Sequence, residues 1–85
     1  MSHALAELWS TVDKASREDF LRRARERRSA VEAAGAHYWV FERHQTPERM
    51  VEFVEAPSPE ILAQARAALG RTPHDEEILL DQLEF

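Results

Sequence analysis

Hydrophobic and polar positions alternate in four stretches of this chain and recur with a helical period in two others. Alternation over four to eight residues is typical of half-buried strands, and apolar positions three or four apart are typical of amphipathic helices. The last alternating stretch could instead be a short helix. We predict strands over residues 4–12, 36–44, 49–56 and 77–85, and helices over residues 17–34 and 59–69.

Residues at the ends of the two helical stretches support these boundaries. Ser16 and Asp19 have the spacing of a capping box, and Gly35 offers a left-handed stop after the first helix. Ser58 precedes the second helix as an N-cap, with Pro59 at the first helical position. Both helices are therefore expected to begin and end where the apolar period does.

The order strand, helix, strand, strand, helix, strand predicts an α+β, ferredoxin-like βαββαβ fold. The link at residues 45–48 is short enough only for a hairpin, so the second and third strands are antiparallel neighbours. Right-handed crossovers then put both helices on one face of a four-stranded antiparallel sheet. Because 85 residues build only one core, residues 1–85 are expected to form a single domain.

Strand alternation also assigns side chains to the two faces of the sheet. Matching apolar positions across the hairpin predicts that Trp39 and Phe41 face the helices. Trp9 and Glu7 in the first strand are expected on the other face, which has no helices. The predicted helix-free set also includes Tyr38, Val40, Glu42, His44, Met50, Glu52 and Val54. Such a face is too apolar for a monomer, which predicts a homodimer that covers it.

Two pieces of the chain resemble the dimeric α+β barrel superfamily: the first-strand end Leu8-Trp9-Ser10 and the segment His37-Tyr38-Trp39-Val40-Phe41-Glu42. In element order the resemblance covers nearly the whole chain. It implies a homodimer in which two sheets pack through their helix-free sides. It also implies a small apolar or aromatic ligand, held at the barrel centre or between helices and sheet. Relatives include cofactor-independent monooxygenases of the antibiotic-biosynthesis type, cyclases, isomerases and stress-responsive barrel proteins.

Three residues are candidates for proton transfer. Glu42 and Glu52 would be neighbours on adjacent strands, and like charges so placed raise each other's proton affinity. His44, near the hairpin, would exchange protons around neutral pH. The alternative is a solvated rim whose acids are neutralised by Arg43 or Arg49. The sequence leaves both interpretations open.

Four further residues are candidates for substrate binding, because they mix ring surface with polar groups on the predicted helix-free face. They are Glu7, Trp9, Tyr38 and Met50. Aromatic rings with a polar tip can form the walls of a small-molecule pocket. The same side chains could equally fill a dimer interface. That alternative predicts a non-catalytic interaction or sensor module whose barrel is completely filled.

Composition narrows the remaining functions. The chain has no cysteine, and its histidines lack the spacing of a preformed metal site, so we expect neither a metal nor a cofactor. The net charge is −5, and acidic residues within pairing distance offset the arginine-rich run at residues 22–28. We therefore expect no nucleic-acid partner. The chain shows neither a long apolar run nor a basic leader. We therefore expect a cytoplasmic location and no membrane partner.

Overall fold

The structure, a computed structural model, describes residues 3–85 and has the predicted element order. A single 3₁₀ turn, Lys14–Ser16, precedes the first helix. The last alternating stretch is a strand rather than a helix. It runs from Glu76 to Asp81, whereas the predicted strand covers residues 77–85. The elements are β1 (Ala4–Thr11), α1 (Arg17–Ala33), β2 (His37–Glu42), β3 (Arg49–Ala56), α2 (Pro59–Leu69) and β4 (Glu76–Asp81).

The ends of the helices agree with the sequence in all but one case. Ser58 accepts a hydrogen bond from the backbone N–H of Ile61 at 3.2 Å, as an N-cap does. Gly35, with φ at +93°, ends α1 in a backbone conformation that other residues rarely adopt. The predicted capping box is wrong, because the Ser16 side chain makes no cap hydrogen bond. Asp13 instead caps the 3₁₀ turn by accepting from the Ser16 N–H at 2.9 Å.

The four strands form one antiparallel sheet in the order β2-β3-β1-β4. Each helix joins two parallel strands that have another strand between them, which confirms the ferredoxin-like arrangement. The hairpin register matches the prediction, since Trp39 lies opposite Phe53 and Phe41 opposite Val51. β2 and β4 are the edge strands. Among the described residues, no helix is long and apolar enough to cross a membrane.

The prediction of which face of β2 and β3 meets the helices is wrong. Tyr38 and Glu52 are buried on the helix side, whereas Trp39 and Phe41 are 44% and 55% exposed on the other side. Both faces of these strands carry large apolar side chains, so alternation alone could not choose between them. A cation on α1, Arg27, makes burial of the Glu52 carboxylate against the helix possible. β1 alternates as predicted, with Leu8 inward.

The core between helices and sheet is built largely from small residues. Ala6, Val54 and Ala65 are fully buried there, and Met50 forms a second group with Val12 and Phe20. The helix-free face carries the larger apolar side chains, as the strand registers show. They are Leu5, Trp9, Trp39, Phe41, Val51, Phe53, Ile78 and Leu80. An apolar helix-free face is therefore present, with a different composition from the predicted one.

Candidate functional site

A buried cluster of three polar side chains, Arg27, Tyr38 and Glu52, connects α1 to the sheet. Glu52 is 0% exposed and Arg27 is 7% exposed. The Arg27 Nε–H donates to Glu52 Oε1 at 2.6 Å. The Tyr38 hydroxyl donates to the same oxygen. One carboxylate oxygen thus receives both hydrogen bonds within this buried cluster.

Local sequence brings these residues together. Phe20, Ala24, Arg27 and Val31 are the buried positions of α1 and follow a helical period, so Arg27 points inward from the arginine run. Its guanidinium carbon lies 5.3 Å from the centre of the Phe20 ring. Tyr38 lies opposite Val54 in the hairpin, one step along its strand face from Glu52. Such diagonal neighbours are within reach of a long aromatic side chain.

The cluster favours a charged arginine and a neutral tyrosine. Burial raises the pKa of Tyr38, and the hydrogen bond to Glu52 raises it further. Burial alone lowers the pKa of Arg27. The hydrogen bond and charge of Glu52 outweigh this effect, so the pKa of Arg27 lies above its usual value. Tyr38 therefore remains a hydrogen-bond donor across the physiological range of pH.

Three buried polar atoms near this cluster make no hydrogen bond among the described residues. They are Glu52 Oε2, Arg27 Nη2 and Ser10 Oγ. Ser10 lies on β1 opposite Met50, which makes it a diagonal neighbour of Glu52 on the same sheet face. A buried polar atom without a partner costs free energy, so most such atoms in proteins are paired. These three atoms offer a donor, an acceptor and a hydroxyl to a small polar group.

A cleft of about 580 Å³ lies beside the cluster, between α1 and the end of α2. We call it the α1–α2 cleft. Arg27 is one of its lining residues and is also bonded to Glu52, so it connects the cleft to the buried cluster. Its apolar lining includes Val12, Phe20 and Leu69, whereas Asp13, Asp19, Arg23, Glu26 and Arg71 provide charges. Such a lining suits a molecule with a hydrophobic body and a polar group.

The structure separates the residues predicted for proton transfer. Glu42 lies at the exposed end of β2 and forms an ion pair with Arg17 at 2.5 Å. It lies opposite Met50, so Glu42 and Glu52 are diagonal rather than direct neighbours. His44 is exposed in the hairpin turn and is not part of β2. Of the three, only Glu52 belongs to the buried cluster, and the roles proposed for all three stay predictions.

The residues predicted for substrate binding fall on both faces of the sheet. Glu7 and Trp9 lie on the helix-free face, where the Trp9 indole N–H donates to Glu7 Oε1 at 3.0 Å. Tyr38 belongs to the buried cluster on the opposite face, so it cannot form one pocket with Trp9. Met50 packs behind the α1–α2 cleft, against Val12 and Phe20. Tyr38 and Met50 are thus the two that lie near Glu52.

Sequence reasoning missed Arg27 and Ser10. The arginine run was interpreted as a solvated, salt-bridged face, and this is right for Arg22 and Arg23, which pair with Asp19. It is wrong for Arg27, which is buried. The signal was the helical period, since Arg27 follows Phe20 and Ala24 on one side of α1. Within residues 3–85, no group of three or more metal-binding side chains is close enough to hold a metal ion.

Comparison with known proteins places this geometry in a recognised fold. No family profile and no curated protein matches the sequence. A candidate antibiotic biosynthesis monooxygenase from Bordetella bronchiseptica is similar in structure, with a TM-score of 0.67 at 13% identity, over 100% of this chain and 99% of that one. A second such candidate, from Chloroflexus aurantiacus, has a TM-score of 0.66 at 16% identity, over 100% and 96% of the two chains.

This chain has the fold of antibiotic biosynthesis monooxygenase-like proteins. A conserved protein from Methanosarcina mazei has the same fold, with a TM-score of 0.67 at 16% identity over 96% of this chain and 92% of that one. The resemblance expected from the sequence is therefore confirmed at the level of the fold. At such identities the likeness concerns the backbone, so the chemistry has to be argued from this chain's own side chains.

Proposed function

We propose that the chain binds a small, largely apolar or aromatic molecule in the α1–α2 cleft and transfers a proton to or from it. The observation that carries this proposal is the Glu52 carboxylate. Its Oε1 receives hydrogen bonds from Arg27 and Tyr38, whereas its Oε2 has no hydrogen-bond partner among the described residues. A fixed carboxylate with one unoccupied oxygen has the arrangement of a general base.

Each member of the cluster has a separate task in this chemistry. Glu52 Oε2 accepts a proton from a carbon atom next to a carbonyl group. Arg27 Nη2, which is also unpartnered, donates to the carbonyl oxygen as that oxygen gains negative charge. Tyr38 keeps its proton and holds Glu52 in position through Oε1. A ligand that engages both free atoms therefore carries a carbonyl group beside an acidic C–H bond.

Removal of such a proton is the first step shared by a cofactor-independent oxygenase, a cyclase and an isomerase. The names of the structural neighbours favour the oxygenase. In that reaction the carbanion reacts with dioxygen, and the CH₂ group beside the carbonyl is converted to a second carbonyl. One oxygen atom stays in the product. The other leaves as water with the two hydrogens of the CH₂ group, so dioxygen accepts all four electrons.

Access to Glu52 requires movement. Its side chain has no exposed surface and does not line the cleft, whereas Arg27, which is hydrogen-bonded to it, does. The ligand therefore shifts the Arg27 guanidinium when it enters. Nη2, which is buried without a hydrogen-bond partner before binding, then donates to the ligand. Closure of the cleft over the ligand would then exclude water from the reacting atoms.

We also propose that two copies form a homodimer through their helix-free faces. Trp39, Phe41 and Leu80 are 44%, 55% and 42% exposed on that face in one chain. Together with the neighbouring Trp9 and Phe53, they form an exposed apolar patch, and such patches often mark contacts between proteins. Some polar groups of this face are hydrogen-bonded to each other, as the Trp9 indole N–H is to Glu7. Such pairing makes the face suitable for packing against a second copy.

Deuterium exchange into β-tetralone tests the proton-transfer proposal, because this bicyclic aromatic ketone has a CH₂ group between its benzene ring and its carbonyl. In D₂O the protein should accelerate loss of the CH₂ proton signal over buffer. Glu52→Gln should lower that acceleration by about a hundredfold, in the range typical for loss of a general base. Glu26→Gln is the matched control, since Glu26 also lines the cleft but is exposed. It should exchange within about twofold of the unaltered protein.

The outcomes separate the candidate functions. Exchange that is equally fast with Glu52→Gln contradicts the role of Glu52. Exchange no faster than in buffer contradicts proton transfer and favours the second candidate, a non-catalytic dimeric module. The complete burial of the Arg27–Glu52 pair supports that candidate, since such pairs can be purely structural. An oxygen electrode with the same ketone then distinguishes an oxygenase from an isomerase or cyclase.

A further inference from the structure

We infer that the molecule bound in the α1–α2 cleft is a 1,3-dicarbonyl compound, and that Ser10 donates a hydrogen bond to its second carbonyl oxygen. The first carbonyl oxygen is the one assigned above to Arg27, and Glu52 removes a proton from the carbon atom between the two carbonyl groups. The inference rests on the proposed proton transfer. It adds the chemical class of the substrate and a further residue that recognises it.

The Ser10 hydroxyl has no task in the proton transfer described so far. Ser10 is 0% exposed, yet its Oγ makes no hydrogen bond among the described residues. Serine hydroxyls in protein interiors usually bond to a backbone carbonyl or to another polar side chain. A buried hydroxyl without such a partner costs free energy, which an alanine at the same position would not. The hydroxyl therefore suits a polar partner that comes from outside the chain.

Strand register places Ser10 next to residues that line the cleft. Ser10 is the last inward-facing residue of β1 and lies two positions before Val12, which is part of the cleft lining. It lies opposite Met50, which packs against Val12 and Phe20. Glu52 is the next inward-facing residue of β3 after Met50. A ligand that enters past Phe20 therefore reaches Ser10 and Glu52 together.

Two unpartnered donors lie on different elements around one unpartnered acceptor, Glu52 Oε2. Arg27 Nη2 comes from α1, which covers the sheet, and Ser10 Oγ comes from β1, the strand next to that of Glu52. A 1,3-dicarbonyl compound has a carbonyl oxygen on each side of an acidic CH₂ group. It is the smallest group that supplies a separate acceptor for each donor and a proton for the carboxylate.

The second carbonyl group also suits the strength of the base. A carboxylate is a weak base toward a C–H bond beside one carbonyl group, and a second carbonyl group makes that bond far more acidic. When Glu52 Oε2 takes the proton, the electron pair of the C–H bond spreads over both carbonyl oxygens, one at Arg27 and the other at Ser10. The negative charge thus moves from Glu52 to the ligand while Arg27 keeps its positive charge. The buried charges stay balanced before and after the step.

Three ligands that differ at a single carbon atom test this substrate class. Benzoylacetone has the second carbonyl group, its 3-hydroxy analogue has a hydroxyl group in that place, and butyrophenone has a CH₂ group. Isothermal titration calorimetry at slightly acidic pH, where the diketone is not ionised, gives their dissociation constants. Benzoylacetone should bind about tenfold more tightly than butyrophenone, as expected for one additional hydrogen bond.

Ser10→Ala should abolish this preference and leave the affinity for butyrophenone within about twofold. The variant is expected to fold normally, because it removes only a buried hydroxyl that has no hydrogen-bond partner among the described residues. Ser16→Ala is the matched control. Ser16 also lines the cleft but is exposed, so its loss should leave the tenfold preference intact.

The outcomes separate this inference from the proposed proton transfer. Equal binding of benzoylacetone and butyrophenone, or a preference that survives Ser10→Ala, overturns this inference alone when Glu52-dependent exchange of β-tetralone is present. Tighter binding of the hydroxy ketone than of the diketone also overturns it, because Ser10 would then accept a hydrogen bond instead of donating one. Binding of none of the three ligands overturns the inference together with the ligand site on which it rests.

Discussion

Arg27 and Glu52 form an ion pair in which both side chains are buried, with Nε 2.6 Å from Oε1. The other ion pairs of the described residues have at least one partner that is substantially exposed. Burial of a pair costs free energy of desolvation, which hydrogen bonds such as that from Tyr38 partly offset. Because this pair is costly to bury and lies beside a cleft, Arg27 and Glu52 are candidates for chemistry.

Arg27→Met should lower the free energy of unfolding by about 3 kcal/mol, because it leaves the Glu52 charge buried without its cation. Arg22→Met, which removes an exposed arginine from the same helix, should cost less than about 1 kcal/mol. Urea denaturation of the two variants at neutral pH measures both. Equal losses of stability would contradict the burial of the Arg27–Glu52 pair.

Combining Arg27→Met with Glu52→Leu should recover most of the stability lost by Arg27→Met, since no charge is then left unpaired in the interior. The double variant is expected to remain folded but to lose exchange activity toward β-tetralone. Urea denaturation and the exchange assay on one preparation check both points. Exchange at the unaltered rate would show that neither side chain takes part in proton transfer.

Tyr38 should make the stability of the protein fall at high pH. Its pKa is raised in the folded chain by burial and by Glu52, so its contribution is fully present below the unfolded value of about 10. The contribution is lost as the pH rises through the folded value. Tyr38 is the only tyrosine, so ultraviolet absorbance follows its ionisation directly. Ionisation near the value for free tyrosine would contradict the hydrogen bond to Glu52.

The parts of the fold that could be predicted are those for which the sequence carries a local signal. The hairpin was predictable because the link at residues 45–48 is short and both flanking stretches are rich in strand formers. The start of α2 was also predictable, because Ser58 favours the N-cap position and Pro59 the first helical position. The strand identity of β4 followed only from completing the βαββαβ order.

The orientation of β2 and β3 could not be predicted, because their two faces are almost equally apolar. The larger apolar surface of Trp39 and Phe41 favoured the wrong face, since Tyr38 is the side chain of β2 that is buried against the helices. The deciding contact joins Glu52 to Arg27, which lies 25 positions away on α1. Glu52 was identified as a candidate by its charge, but Arg27 depended on a helical phase that the arginine run concealed.

Arg49 should hold the loop before β4 in place at one end of the helix-free face. Its guanidinium donates to both oxygens of Asp75 at 2.9 and 3.0 Å and lies 5.6 Å from the centre of the Trp9 ring. Arg49→Gln should speed hydrogen exchange of the Asp75 N–H, which is bonded to the Trp9 carbonyl at 2.8 Å. Arg22→Gln serves as the control and should leave that exchange unchanged. Equal exchange in both variants would show that the loop does not depend on Arg49.

The most direct test of the central claim is an NMR titration of ¹⁵N-labelled protein with β-tetralone. The Arg27 Nε–H signal and the amides of the α1–α2 cleft should shift in a saturable way, because the ligand is expected beside Arg27. The indole N–H signals of Trp9 and Trp39, both on the helix-free face, should not move. Shifts confined to the two indoles, with the Arg27 signal unchanged, would contradict a ligand site between the helices and the sheet.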